Sequence, residues 1–350
     1  MSSTSHASEK FCAIYVDMGT TNTRAWLMEG SNVIAREAAP VGIRDSAREE
    51  SPKLIRKRLH ELITRLRRDN SGQCRPTHIA AAGMISSSLG LAEVPHVAAP
   101  AGLDDLSVAA QWHHSDDVSD LPILLVPGVR CGPASLKVEQ IDCLDVMRGE
   151  ETLCAGLIAL NIVSRSGVVL NLGSHWKAIQ LDAEGRVSCS ITSLSGELVH
   201  ATQQHTILAG SVATSWPNRL SAEWVKSGME LARMSGLSRA LFCARLLDLS
   251  QEGSPEDRLA FVVGAFIATD LDALRNRGAL SSQHEVGIIG SKALSEAWRF
   301  ALGKAGIPSA IIDSPTVENA FLTALRLILE RARHSLDRSS AQSIRRNFDS

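Results

Sequence analysis

No Cys-x-x-Cys pair occurs in this chain, and its seven cysteines are scattered and odd in number. That pattern is not a disulfide framework and fits reduced thiols in a cytoplasm. No apolar run approaches the ~20 residues that a membrane-spanning helix needs. Residues 1–10 are polar and lack the apolar core of a signal peptide. Charge of one sign is also missing: the formal net charge is -2, which argues against electrostatic binding of nucleic acid. The one basic run, Lys53 to Arg68, is interleaved at helical spacing with Leu54, Ile55, Leu59, Leu62, Ile63 and Leu66, so it reads as a solvated helix face. Two nucleotide-binding signatures are absent as well. There is no Gly-x-x-x-x-Gly-Lys-Ser/Thr loop, and no Gly-x-Gly-x-x-Gly follows the first strand.

What is present is a turn between two apolar stretches. Phe11 to Val16 reads as a buried strand, and Ala25 to Met28 starts a second. Between them lie Asp17, Gly19, Thr20, Thr21 and Asn22. Gly19 allows close approach to the backbone, and such a turn can form an anion-binding concavity. Asp17 at the strand end could hold a hydrated Mg²⁺. Taken alone, the turn fits an ordinary polar hairpin equally well.

The order of elements then predicts an α/β fold. Three strands over 11–40 precede a helix from about Ser51 to Arg68 and a strand from His78 to Ala82 that ends at Gly83-Met84-Ile85-Ser86-Ser87. A polar stretch from His113 to Asp120 leads into a strand ending at Pro127-Gly128. The adjacent histidines and acids there are read as exposed, not as a metal cluster. A helix is expected over 145–160, with Glu150 and Glu151 near its start. The opening pattern then recurs: Val168–Leu172, the turn Gly173-Ser174-His175, a second strand, a third strand and a helix from Glu197. Gly287 to Ser291 is a strand running into a glycine turn and a helix, suited to a flat nucleoside or, more simply, to tight helix–strand packing. The domains are expected at 11–145 and 146–332, with a mobile polar tail over 333–350.

On these motifs the chain resembles the 2-dehydro-3-deoxygalactonokinase family, bacterial sugar-acid kinases of the actin, sugar-kinase and Hsp70 superfamily. The resemblance runs from about residue 12 to 330. It rests on Asp17-x-Gly19-Thr20-x-Asn22-x-Arg24-Ala25-Trp26-Leu27, Ala82-Gly83-Met84 and Pro127-Gly128. Val146-Met147-Arg148-Gly149-Glu150-Glu151-Thr152, Gly173-Ser174-His175-x-Lys177 and Ser195-Gly196-Glu197-Leu198 complete it. It implies two ribonuclease-H-like (actin-like ATPase) domains with an interdomain cleft. It implies transfer of the ATP γ-phosphate to the 6-hydroxyl of 2-dehydro-3-deoxy-D-galactonate, in galactonate breakdown. Two departures stand out: Leu172-Gly173-Ser174-His175 where the family shows Pro-Gly-Thr-His, and Ile85-Ser86 where it shows Val-Gly.

The expected roles follow. Asp17 is the Mg²⁺-associated carboxylate. Gly19, Thr20, Thr21 and Asn22 cradle phosphates in one half, Gly173, Ser174 and His175 in the other, and Gly287, Gly290 and Ser291 take the adenosine. Glu150 is the base, matched by its place after a glycine at a helix start, with Glu151 in reserve. Arg148 is the first choice for the substrate carboxylate, because a guanidinium matches it bidentately. Lys177, Gly83, Met84 and Ser86 are further substrate candidates. ATP, Mg²⁺ and a sugar acid are the expected ligands, with no nucleic acid and no membrane, and a homodimer is left open. The competing readings are a catalytically lapsed sensor of the same fold, a kinase for a related keto-deoxy acid, and an actin-like filament protein.

Overall fold

Val, Ile and Leu alternating or running together before a glycine turn dictate strands, and the strands come in two sets. The computed structural model describes residues 11–348 except 50 and 136, and the side chains of all of these except 48, 49 and 335–348. The chain divides into two compact units. The first takes the described residues to Arg130, then Val146–Leu160, then the described residues from Asn319 on; the second takes Cys131–Asp145 and Asn161–Glu318.

In chain order the first unit begins with β1 (Cys12–Met18), β2 (Thr23–Glu29) and β3 (Asn32–Ala39). Helices α1 (Ile43–Glu49) and α2 (Lys53–Asp69) follow, then β4 (His78–Gly83) and β5 (Val97–Ala98). Next come α3 (Leu103–Ala109), β6 (Gln111–Ser115) and β7 (Ser119–Leu125). Two short strands, β8 (Val129–Cys131) and β9 (Asp145–Met147), flank the excursion into the second unit, and α4 (Glu150–Ala159) returns to the first. The main sheet has the order β3-β2-β1-β4-β7-β6. β1 is antiparallel to β2 and parallel to β4, so Asp17 faces Arg24 on one side and Ala82 on the other. Ile14, Val16, Met18, Leu27, Ile79 and the α2 stripe Ile55, Leu59, Leu62, Ile63 and Leu66 form its core.

The second unit repeats the plan with β10 (Val168–Leu172), β11 (Trp176–Leu181), β12 (Val187–Ser193), α5 (Ser195–His205), α6 (Ala222–Ser235), α7 (Leu237–Leu249) and α8 (Pro255–Asn276). It closes with β13 (Val286–Gly290), α9 (Lys292–Lys304) and β14 (Ser309–Ile311). Its sheet order, β12-β11-β10-β13-β14, matches the first five positions of the other sheet. Both are ribonuclease-H-like. α8 is apolar nearly all round because it runs through the core. It starts from Ser254, whose hydroxyl and Asp257 make a reciprocal capping box. Where α6 crosses α8, a Cβ on Gly228 would lie 1.9 Å from the Phe261 carbonyl oxygen, and one on Gly264 would lie 2.1 Å from that of Val225. Only glycines permit that approach.

Four features differ from the sequence expectations. The polar stretch 113–120 is the β6–β7 hairpin, not a connecting loop. Asp117 and Asp120 are drawn into ion pairs with α2, Arg56 to Asp117 at 2.9 Å and Arg67 to Asp120. The helix expected over 145–160 is split, because Gly149 adopts φ 108° and α4 starts at Glu150. α4 also packs in the first unit, where a Cβ on Gly156 would lie 1.8 Å from the Ala320 carbonyl oxygen of α10 (Ser314–Phe348). That helix runs as far as Phe348, through most of the expected tail. Finally, Cys12 and Cys74 are joined in a disulfide, which corrects the expectation of reduced thiols throughout. The pairing of β1 with β4 brings together cysteines 62 residues apart.

Candidate active site

In the first unit the Gly19–Asn22 turn is closed by the Gly19 N–H donating to the Asn22 carbonyl at 2.9 Å. Its carbonyls are tied to α1. Ile43 N–H donates to Gly19 O at 3.2 Å and Arg44 N–H to Thr20 O at 3.0 Å. A trans peptide points its N–H opposite to its C=O. Thr20 and Thr21 N–H therefore face away from α1, side by side. The approach depends on Gly42: a Cβ there would lie 2.5 Å from Thr20 C and 2.6 Å from Gly19 O.

Beside this turn β1 ends at Asp17. Burial pushes its carboxyl up to about 6; Arg24 pulls it down and Glu150 raises it further. Met18 is in register with Gly83 of β4. Gly83 has φ 88°, and a Cβ on it would meet Met18 O at 2.4 Å and Asp17 Oδ1 at 3.4 Å. A Cβ on Gly149 would stand 3.3 Å from the Gly83 Cα. Asp17, Gly83, Gly149 and Glu150 thus converge at one end of β1 and β4. They converge only because two residues without side chains let the backbones touch.

Glu151 is turned onto its own backbone. It is 1 % exposed, both its oxygens accept the Gly149 N–H (2.8 and 2.9 Å), and Thr152 Oγ1 donates to Oε1 at 3.0 Å. Burial, then the charge of Glu150, pushes it up to about 7. It braces the turn from which Glu150 projects. Arg148 is half-buried and held by the 86–96 loop. Nη1 donates to Ser86 Oγ at 3.0 Å and Nη2 to Val94 O at 3.0 Å, and Nη2 lies 3.4 Å from His96 Nδ1. Met84 and Ser86 form the short helical turn after β4. Gly128 makes room for Arg148, since a Cβ there would lie 2.6 Å from its Cγ and 2.2 Å from Met147 O.

The second unit carries the counterpart. The three-residue turn Gly173-Ser174-His175 joins β10 to β11, with Leu172 opposite Trp176. A Cβ on Gly196, at the start of α5, would meet Gly173 O at 2.3 Å and Ser174 O at 2.4 Å. Those carbonyls face α5, and the N–H groups of Ser174 and His175 face away from it. His175 Nε2 lies 3.7 Å from Glu197 Oε1. Lys177 is buried on β11 in register with Asn171, as Arg24 is with Asp17. Leu172 is in register with Gly290, repeating Met18 with Gly83. Gly290 and Ser291 stand at this strand end. Gly287, by contrast, is buried within β13 under Ile312 and Val163, at 3.0 and 3.1 Å from a Cβ built on it.

Gly42 and Gly196 were not singled out as site residues in the sequence. The signal was there: each is a glycine at the first helical turn after the third strand of its half. Serine for threonine at 174 keeps a hydroxyl in a turn that retains its cradle, so the lapsed-sensor reading gains no support.

The donor set fits the ligands that the motifs imply. A buried carboxylate beside a second acid suits a hard cation with oxygen ligands, and two turns presenting adjacent N–H groups suit phosphate oxygens. Among the described residues no helix is long and apolar enough to cross a membrane.

Known proteins resemble this chain over most of its length. The 2-keto-3-deoxy-galactonokinase family model matches residues 17–328. A 2-dehydro-3-deoxygalactonokinase of Escherichia coli (strain K12) is 25% identical over 320 residues, 90% of this chain and 96% of that protein. A Rhizobium meliloti (strain 1021) protein provisionally named as the same kinase is 26% identical over 315 residues, 88% of this chain and 94% of its own. A solved structure from Sinorhizobium meliloti, described as a candidate 2-dehydro-3-deoxygalactonokinase, superposes with a TM-score of 0.70 at 25% identity, covering 90% of this chain and 97% of its own.

Proposed function

The chain belongs to the 2-keto-3-deoxy-galactonokinase family, and from that premise we propose how its strand-end residues phosphorylate the 6-hydroxyl of 2-dehydro-3-deoxy-D-galactonate with ATP in galactonate catabolism. The observation that supports the assignment of roles is the convergence of Asp17 and Glu150 across Gly83 and Gly149.

Phosphoryl transfer demands positioning and charge neutralisation more than covalent chemistry. Glu150 accepts the proton of the 6-hydroxyl as its oxygen bonds to the γ-phosphorus. The bond from that phosphorus to the β-bridging oxygen breaks, and ADP leaves. Thr20 and Thr21 N–H hold phosphate oxygens at the first turn, with Gly19 allowing the approach and Asn22 closing the loop. Ser174 and His175 N–H do the same at the second turn, beside Gly173. Gly290 and Ser291 border the nucleoside. Asp17 is the carboxylate that would hold Mg²⁺; the bound ion would neutralise phosphate charge and fix phosphate geometry. Gly83 and Met84 form the sugar's side of the first unit's cluster, Ser86 supports their turn through its hydrogen bond to Gly83 O, and Lys177 neutralises charge beside the second turn.

The test is a coupled assay of ADP release with 3-deoxy-2-keto acids derived from galactonate and gluconate. Mg²⁺-dependent turnover with the galactonate-derived acid is expected. Absence of any phosphorylated product across the panel would overturn the proposal.

A further inference from the structure

Ser86 is fully buried, yet its hydroxyl is used twice: it donates to Gly83 O at 3.1 Å and accepts from Arg148 Nη1 at 3.0 Å. Its backbone is fixed as well, because Val94 N–H donates to Ser86 O at 3.0 Å. Arg148 Nη2 donates to Val94 O in turn. The guanidinium is thereby locked across the two ends of the 86–94 loop. The residue after Arg148 is Gly149, in contact range of Gly83, and the next is Glu150. The same small loop therefore fixes the Gly83 side and the Glu150 side of the cluster at once.

We infer that Ser86 and Arg148 are positioning residues, a hydroxyl–guanidinium latch that sets where Glu150 stands relative to Asp17. Arg148 acts through Glu150, and clamping the substrate carboxylate is not its main part. A charge-assisted hydrogen bond of this kind is shorter and stronger than a neutral one, so it fixes its partners firmly. A reacting group displaced by ~1 Å loses up to ~100-fold in rate. The inference rests on the kinase reading above.

The experiment measures kcat and both KM values for the full chain, with Ser86→Ala, Arg148→Lys and the double variant, alongside their thermal unfolding. Lysine keeps the charge and loses the fork. The expected result is a kcat about tenfold or more lower for Ser86→Ala, with KM for the sugar acid within about twofold of wild type. The double variant should lose no more than Arg148→Lys alone, because both changes open one latch. Unchanged kcat in folded Ser86→Ala overturns the inference. So do additive losses, or an effect confined to KM for the sugar acid, which would make Arg148 a substrate ligand. An inactive wild type overturns the kinase reading and the latch with it; an active wild type with a normal Ser86→Ala overturns the latch alone.

Discussion

Replacing Asp17 with asparagine should abolish turnover and stabilise the protein when no ligand is bound. Burial lifts the Asp17 carboxyl from 3.8 to about 6, with Glu150 adding to the rise and Arg24 opposing it. The folded state therefore binds a proton more tightly there than the unfolded chain does. Stability from this group is full below about pH 4 and is lost as pH rises through about 6. At ~1.4 kcal/mol per pH unit, the whole interval is worth ~3 kcal/mol, of which about half has returned by about pH 5. An asparagine side chain carries no charge at any pH, so the variant escapes the loss. Urea unfolding without Mg²⁺ should find Asp17→Asn up to ~3 kcal/mol more stable than wild type at about pH 8. The advantage should shrink by about half at about pH 5. Glu151, lifted in the same direction to about 7, is present in both proteins and largely cancels. A variant less stable than wild type by the same amount at both pH values would refute the reasoning, since it would mean that Asp17 is held by its contacts and not stressed by burial.

Further changes test other parts of the account. Gly196→Ala places a Cβ 2.3 Å from Gly173 O and must shift the second turn; Gly42→Ala does the same to the first through Thr20. Each should raise KM for ATP about tenfold or more, an overpacking cost of ~1–3 kcal/mol, in steady-state kinetics. Cys12→Ser should lower stability by ~2–4 kcal/mol, and the same loss should follow from reducing the wild type, read as a shift in urea midpoint with and without reductant. Glu151→Gln keeps one acceptor for Gly149 N–H; it should retain far more activity than Glu150→Gln, because its carboxylate faces the backbone of its own turn.

Much of this was legible because strand ends announce themselves. Asp17-x-Gly19 and Leu172-Gly173 close apolar runs, and both runs proved to be the central strands of their sheets. The glycine contacts were not legible: the place of Gly42 and Gly196 at a helix start after the third strand marks them, but only the fold shows which backbone each one faces. Arg148 shows the same limit: a guanidinium near an expected active site suggests a substrate anion, and only the folded 86–96 loop reveals that it also donates to Ser86 and Val94. The split at Gly149 was visible as Arg148-Gly149-Glu150 but was overridden by the apolar spacing from Val146 to Leu160. Cys12 and Cys74 meet through a strand pairing 62 residues apart, which no cysteine spacing encodes.

The proposed phosphoryl transfer turns on Glu150 as the group that takes the proton from the sugar's hydroxyl. A single-turnover experiment, mixing enzyme in excess over labelled ATP with saturating 2-dehydro-3-deoxy-D-galactonate, reads that step directly. Glu150→Gln should slow the appearance of phosphorylated sugar acid by ~10²–10⁴ with ATP binding intact. A Glu150→Gln enzyme that transfers phosphate at the wild-type rate would contradict it.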